Sequence, residues 1–370
     1  MIIIYTLFIF FISYIIYKNN YKYYRKLEYV NPETSEKIIV QTLYPEFTPS
    51  DNLSFTRIFL GTYIMSLFKF LVNVSMASIL NVKLKRFMKI FKNINTDPQQ
   101  WEIVSNVISY MTGIYFKFNG ININKIKLPY EEIYKKYLGE NYSFDPNEKY
   151  SLLISNHTGF YDVIVNMHVH ACGFMAKDET QNYPFVGSLA KGINCLFVKR
   201  ESQEDRAKIL IQLEERQKAF YEGKYLAPLL LFPEGTTTNG QYILKFKKGA
   251  FYHLLPIKPQ LTLLNPNANY SVAIGVSSAV FNYFRSLCYF GFDINLCELP
   301  VIKPTEYMFE HYSDLGGEKW EIFAEVTRKI MCEIGGLKPS DKTFRNSKHY
   351  ERSLVKGVYV DENSNLISSQ

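Results

Sequence analysis

The stretch SNHTGFYD, Ser155–Asp162, places a histidine and an aspartate with four residues between them, where an apolar run ends and a helical pattern begins. If the turn through Asn156–Gly159 folds back, Asp162 accepts a hydrogen bond from one imidazole nitrogen of His157 and fixes its tautomer. The other nitrogen can then take a proton from a substrate hydroxyl. A capped helix start with a satisfied histidine has the same look, so one such pair decides little. Three further blocks follow. LLLFPEGTTTNG, Leu229–Gly240, runs an apolar strand into a loop of backbone N–H groups and hydroxyls suited to an anionic or hydroxylated ligand. It contains G-x4-G, but Gln241 stands where a triphosphate-binding loop needs lysine, which excludes that reading. GINCLFVKR, Gly192–Arg200, ends an apolar strand on Lys199 and Arg200, and a guanidinium there suits two-point contact with a phosphate. FKKGAFYHLLPIKP, Phe246–Pro259, sets Lys247 and Lys248 before a small-residue helix and a Pro-flanked apolar strand; such a lysine pair meets phosphates or is solvated.

These blocks need a scaffold. Short β-rich runs at Tyr150–Ser155, Gly173–Lys177, Ile193–Val198, Leu226–Phe232, Val272–Val276 and Glu298–Ile302 alternate with helical patterns at Phe160–His168, Gln203–Tyr221 and Trp320–Ile334. The alternation predicts an α/β domain, a largely parallel sheet flanked by helices, over 150–350. Residues 118–149, polar and lysine-rich, read as an insertion before it, and 351–370 as a polar tail. The chain of 370 residues is 47% apolar, enough for a large core, and its net charge of +7 suits anionic partners. No zinc-finger spacing or long basic stripe points to nucleic acid. The five cysteines are odd in number and lack C-x-x-C spacing, which fits a reducing compartment.

Three segments seek a membrane. Residues 1–17 carry no charged side chain and would span about 25 Å as a helix, marginal for a bilayer core. Lys18, Lys22, Arg25 and Lys26 follow the apolar run, which favours an uncleaved anchor over 1–26 with its C-terminal side in the cytosol. The region 55–117 holds an apolar stretch from Ile58 to Leu80, broken by Lys69, whose long side chain can snorkel. Val82–Lys92 follows, with five basic residues and with Leu84, Phe87, Met88 and Phe91 at helical spacing. It reads equally as a basic amphipathic helix on an anionic membrane or as a solvated helix packed on the domain. Ile103–Phe116 reads as a buried core helix.

The order of the four blocks, from His157 to Pro259, resembles the glycerolipid acyltransferase family, whose pattern is H-x4-D, G-x-x-F-x-x-R, F-P-E-G and a Pro-containing apolar block. EGTTTNG followed by FKKGAF is similar to the branch acting on lysophosphatidylcholine and lysophosphatidylethanolamine; Thr236 stands where enzymes of lysophosphatidic acid more typically carry arginine. The resemblance implies acyl transfer from acyl-CoA, as co-substrate and without cofactor or metal, to a lysophospholipid hydroxyl at a membrane, with His157 as general base oriented by Asp162. It implies Arg200, Glu234, Gly235 and Thr236 in the acceptor site, Phe197 as packing support, and Lys247 and Lys248 near CoA or headgroup phosphates. It also implies residence in the endoplasmic reticulum with the catalytic domain facing the cytosol. His168 and His170, two apart on a helix, point to different faces and are read as structural. The other readings are acyl transfer to glycerol 3-phosphate or lysophosphatidic acid, transacylation without CoA, a lipid carrier, and a non-catalytic membrane scaffold.

Overall fold

The computed structural model describes residues 2–30, 37–91, 94, 96–182, 186–198, 203–264, 271, 273, 275–357, 359–360 and 366–367. The chain starts with helix α1 (Ile2–Tyr24), an antiparallel pair β1 (Glu28–Val30) and β2 (Lys37–Ile39), and one helical turn α2 (Val40–Leu43). Then come α3 (Phe55–Gly61), a π-helical turn at Thr62–Ser66, α4 (Leu67–Ile90) and α5 (Pro98–Asn119). The alternating part runs β3 (Ile121–Lys125), α6 (Glu131–Leu138), β4 (Leu152–Ser155), α7 (Phe160–His170), β5 (Gly173–Lys177), α8 (Val186–Gly192), β6 (Leu196–Val198) and α9 (Gln203–Tyr221). It continues through β7 (Leu229–Leu231), β8 (Tyr242–Leu244), β9 (Ile257–Leu264), α10 (Ala279–Leu287), β10 (Phe292–Glu298), α11 (Glu306–His311), α12 (Lys319–Gly335), β11 (Lys338–Ser340) and α13 (Phe344–Lys356).

Seven strands form one sheet in the order β3-β10-β9-β4-β7-β5-β6, parallel throughout except between β9 and β10. The expected α/β class is thus the observed one. Its central strands LLIS and LLL are buried along their whole length because helices cover both faces. Side chains alternate between those faces. Leu152, Ile154, Leu229 and Leu231 pack with residues of α6 and α12, while Leu153 and Leu230 pack with residues of α4, α5 and α7.

Three boundaries differ from the sequence expectation. Residues 118–149 are no insertion: β3 is the edge of the main sheet, and α6 buries Tyr134, Tyr137 and Leu138 in the core. The strand ININK escapes notice because its outward residues are polar; Asn122 pairs with Asp293 and Asn124 with Asn295 on β10. Glu298–Ile302 is the end of β10 and the turn after it, joined back to Ile257 by a single bridge. The expected strand Val272–Val276 falls partly outside the described residues, and Gly275–Val276 lie in a turn.

Two helical runs, Ile3–Tyr24 and Phe55–Ile90, are long and apolar enough to cross a membrane. Neither is free of the domain. On α1, Ile9, Ser13, Ile16, Asn20 and Tyr23 recur at alternating steps of four and three and are buried. Tyr5 meets Tyr63, Phe10 meets Phe59, and Tyr17 meets Phe55, which sets α1 antiparallel to α3. Ile3, Leu7, Phe8 and Phe11 face outward. Lys69 does not snorkel: it is buried, and its Nζ donates to the carbonyls of Tyr289 (2.6 Å) and Asn119 (3.4 Å), at the ends of α10 and α5. The basic segment of α4 uses its apolar side inside the protein, with Leu84 buried against Gly192 and Met88 and Phe91 on the same cluster. Lys83, Lys85, Arg86 and Lys89 remain exposed. Helix α5 is core on one side only; Val104, Ile108 and Phe116 are buried, whereas Ile103, Tyr110 and Ile114 are exposed.

The link between α1 and α3 is fixed by a buried ion pair. Asp51 meets Arg285 of α10 at 3.1 Å, with both side chains almost wholly buried, and also accepts from Tyr24 Oη (2.7 Å) and Ser271 N (2.9 Å). Removing one partner strands the other charge. Asp51→Ala is expected to cost about 3–5 kcal/mol, whereas replacing the exposed Asp293 of β10, as Asp293→Ala, should stay within about 0.5 kcal/mol. Thermal unfolding of the two variants in the same detergent checks the contrast.

Candidate active site

Strand β4 ends at Ser155, and the next residues turn sharply into α7, whose first turn contains Asp162. A carboxylate at this position sits where a helix leaves its first N–H groups unpaired, so it is drawn back over the turn. Asp162 Oδ2 accepts from the backbone N–H of Thr158 and, at 2.9 Å, from that of Gly159. Thr158 Oγ1 donates to Oδ1 at 2.7 Å. The same capping geometry carries the imidazole: His157 Nδ1 lies 2.9 Å from Asp162 Oδ2. The carboxylate is 1% exposed and the imidazole 19%. With Nδ1–H donating to the carboxylate, Nε2 keeps its lone pair, and it has no hydrogen-bond partner among the described residues. The structure thus brings together the two residues whose spacing suggested an acid–base pair.

The second block supports this one from behind. The Phe232 ring, just past β7, stacks on the His157 imidazole at 3.9 Å and 12°, and Phe174 stacks on Phe232 in turn. Glu234 Oε1 accepts from His157 N and Oε2 from Leu244 N, each at 2.8 Å, so one carboxyl braces the ends of β4 and β8. Burial pushes this carboxyl up to about 8, against the two N–H donors, which favour its charged form. Gly235 follows with φ +70°, a backbone conformation that favours glycine, and Lys247 Nζ lies close over it. Thr238 N donates to His157 O (2.9 Å). Asn156 grips β9 through Thr262, donating to its O (2.9 Å) and accepting from its N (2.8 Å).

Residues 137–261 match the family model described as acyltransferase. The matched stretch contains His157, Asp162 and Glu234. The lysophospholipid acyltransferase LPEAT1 of Arabidopsis thaliana is 30% identical over 217 residues, which cover 58% of this chain and 52% of that protein. Lysophosphatidylcholine acyltransferase 1 of Homo sapiens is 28% identical over 204 residues, covering 54% and 36%. The lyso-ornithine lipid O-acyltransferase of Rhodobacter capsulatus is 29% identical over 154 residues, covering 40% and 53%. The chain spans about half the length, or less, of the curated relatives it matches.

Around the His157–Asp162 pair the other expected residues divide. Glu234 is a correction: its oxygens point into the protein and hold backbone, so it positions His157 and does not line an acceptor site. Thr236 Oγ1 meets Ser347 Oγ of α13 at 3.3 Å, and Lys247 lies beside Gly235 with its Nζ 5.2 Å from the Phe344 ring centre. Lys248 turns away, over the rings of Tyr252 (3.9 Å) and Trp320 (5.5 Å). Phe197 is half-buried on the edge strand β6, three strands from β4. Arg200 and Lys199 lie outside the described residues. His168 bonds Ser109 O and Thr112 Oγ1, and His170 bonds Gln260 Oε1, so both are structural. Among the described residues no group of three or more His, Cys, Asp or Glu could hold a metal ion. Phe232, Asn156 and Thr238 escaped the sequence reading of the site, although each stands within a motif block.

The raised Glu234 carboxyl retains a proton in the folded chain that the unfolded chain releases above its ordinary value of 4.5. Its contribution to stability is therefore whole below that value and is lost as pH rises through about 8. The thermal midpoint of the native protein, measured against Glu234→Gln in a pH series, should fall relative to the variant over this window. A difference between the two proteins that stays constant from pH 4.5 to about 8 would mean that Glu234 is ionised throughout.

Proposed function

We propose that this protein transfers a fatty-acyl chain from acyl-CoA to the free hydroxyl of a lysophospholipid, with lysophosphatidylcholine or lysophosphatidylethanolamine as acceptor. The observation that carries the reading is the His157–Asp162 pair: a buried carboxylate on Nδ1 and an Nε2 with no hydrogen-bond partner among the described residues, at a strand end within the stretch that matches the acyltransferase family model. The names of the relatives support the lysophospholipid class.

In this reading Nε2 removes the proton of the acceptor hydroxyl as its oxygen attacks the thioester carbonyl. Asp162 offsets the positive charge that develops on the imidazole. The tetrahedral intermediate collapses, the carbon–sulfur bond breaks, and the imidazolium returns its proton to the CoA thiolate. No acyl-enzyme forms. The outward apolar faces of α1 and α4 suit a membrane in which both acyl chains stay out of water. The cations after residue 17 favour a cytosolic catalytic side, and the endoplasmic reticulum is the proposed membrane.

The test follows labelled acyl-CoA into lysophosphatidylcholine, lysophosphatidylethanolamine, lysophosphatidic acid and glycerol 3-phosphate, using membranes that contain the full chain. His157→Ala is expected to abolish product while the protein stays in the membrane fraction. Product from lysophosphatidic acid or glycerol 3-phosphate alone would overturn the acceptor; no product from any would overturn the reaction.

A further inference from the structure

The loop that follows Glu234 is held from a part of the chain far from the acyltransferase motifs. Asn239 is buried, and both hydrogens of its amide are used, donating to Pro45 O (2.9 Å) and Thr48 O (3.0 Å). Its backbone N donates to Glu46 O (2.8 Å), and its Oδ1 accepts from Gln241 N (3.1 Å). The segment it grips, residues 45–48, belongs to the link between α1 and α3. That link is anchored elsewhere by Ser340 Oγ on Glu46 Oε1 (2.6 Å), by Phe47 against Tyr350, and by Asp51 on Arg285. A third strand of chain closes the knot. Thr237 Oγ1 donates to Gly275 O (2.6 Å) and Gly275 N to Thr238 O (3.3 Å), while a Cβ on Gly275 would lie 2.3 Å from Phe47 O. One residue before Asn239, Thr238 N holds His157 O at 2.9 Å.

We propose that Asn239 is a positioning residue for acyl transfer: its clasp on residues 45–48 fixes the loop that holds the His157 backbone, and so ties the base to the link between the two apolar helices. This rests on the reaction proposed above. Asn239 touches no reacting atom. It acts through two links in series, the pair of hydrogen bonds from its own amide to residues 45–48 and the bond from Thr238 N to His157 O. A carboxylate in its place would keep the shape but set an oxygen against two carbonyls. Nothing in the loop's composition requires an amide at this position, so the clasp explains why a fully paired, buried side chain stands there.

The test uses full-length Asn239→Ala and the near-isosteric Asn239→Asp in membranes. It combines steady-state kinetics, with acyl-CoA and the acceptor that the native chain accepts, and amide hydrogen exchange across residues 236–241. Faster exchange together with a kcat lower by about 10- to 100-fold, and KM values for both substrates within about twofold of native, is the expected result. Faster exchange with native kcat would leave Asn239 a merely structural residue and overturn the proposal, as would unchanged exchange. If Asn239→Ala does not fold, Asn239→Asp carries both readouts. A native chain inactive toward every acceptor would instead bring down the proposed reaction, and this inference with it.

Discussion

The arrangement depends on one buried carboxylate. A helix start exposes N–H groups that need an acceptor, and Asp162 supplies it to Thr158 and Gly159 while holding His157 Nδ1. Capping and orientation are thus a single event. The carboxylate oxygen that caps the start of the helix, Oδ2, is the one that holds the imidazole. Around this centre the sheet contributes a fixed floor. Glu234 and Thr238 hold His157 by its backbone, Phe232 lies flat against its ring, and Asn156 fastens the end of β4 to β9.

How much of this can be read from the residues depends on how local each interaction is. The H-x4-D pair was legible because both partners and the turn between them lie within eight residues. The alternation of strands and helices was legible too, since buried parallel strands are continuous apolar runs, as in LLIS and LLL. Glu234 was misread because its partners are backbone N–H groups, one of them 77 positions away, and backbone leaves no mark in a sequence. The strand ININK was missed because an edge strand shows its polar face, and α6 because its tyrosines face the core while its lysines and glutamates dominate the composition. Lys248 gave no sign that two aromatic rings would receive it.

The N-terminal helices show the same limit from the other side. Their apolar composition marks them correctly as long hydrophobic helices, yet it hides how far they are built into the domain. The buried row on α1 contains Ser13 and Asn20, each bonded to a carbonyl of its own helix, so the packed face is not the most apolar one. The basic end of α4 presents two faces, and the protein itself takes the apolar one. What remains outward is a mixture of large apolar residues on α1 and along α4, with cations at the far end of α4.

The buried ammonium of Lys69 fixes a dimension. It is bound to the last carbonyl of α5 and to the carbonyl of Tyr289, two residues past the end of α10, and Asn73, one turn further on, is bonded to Asn119 and Tyr283. Sliding α4 by a single residue would move this charge about 1.5 Å along and about 100° around the axis, away from both carbonyls that hold it. The helix therefore has only one register against the domain. Greasy contacts alone would tolerate slippage; this polar pin does not. Whatever surface the outer side of α4 rests on, the distance from that surface to His157 is set by the chain itself, as a gauge block sets the height of a tool.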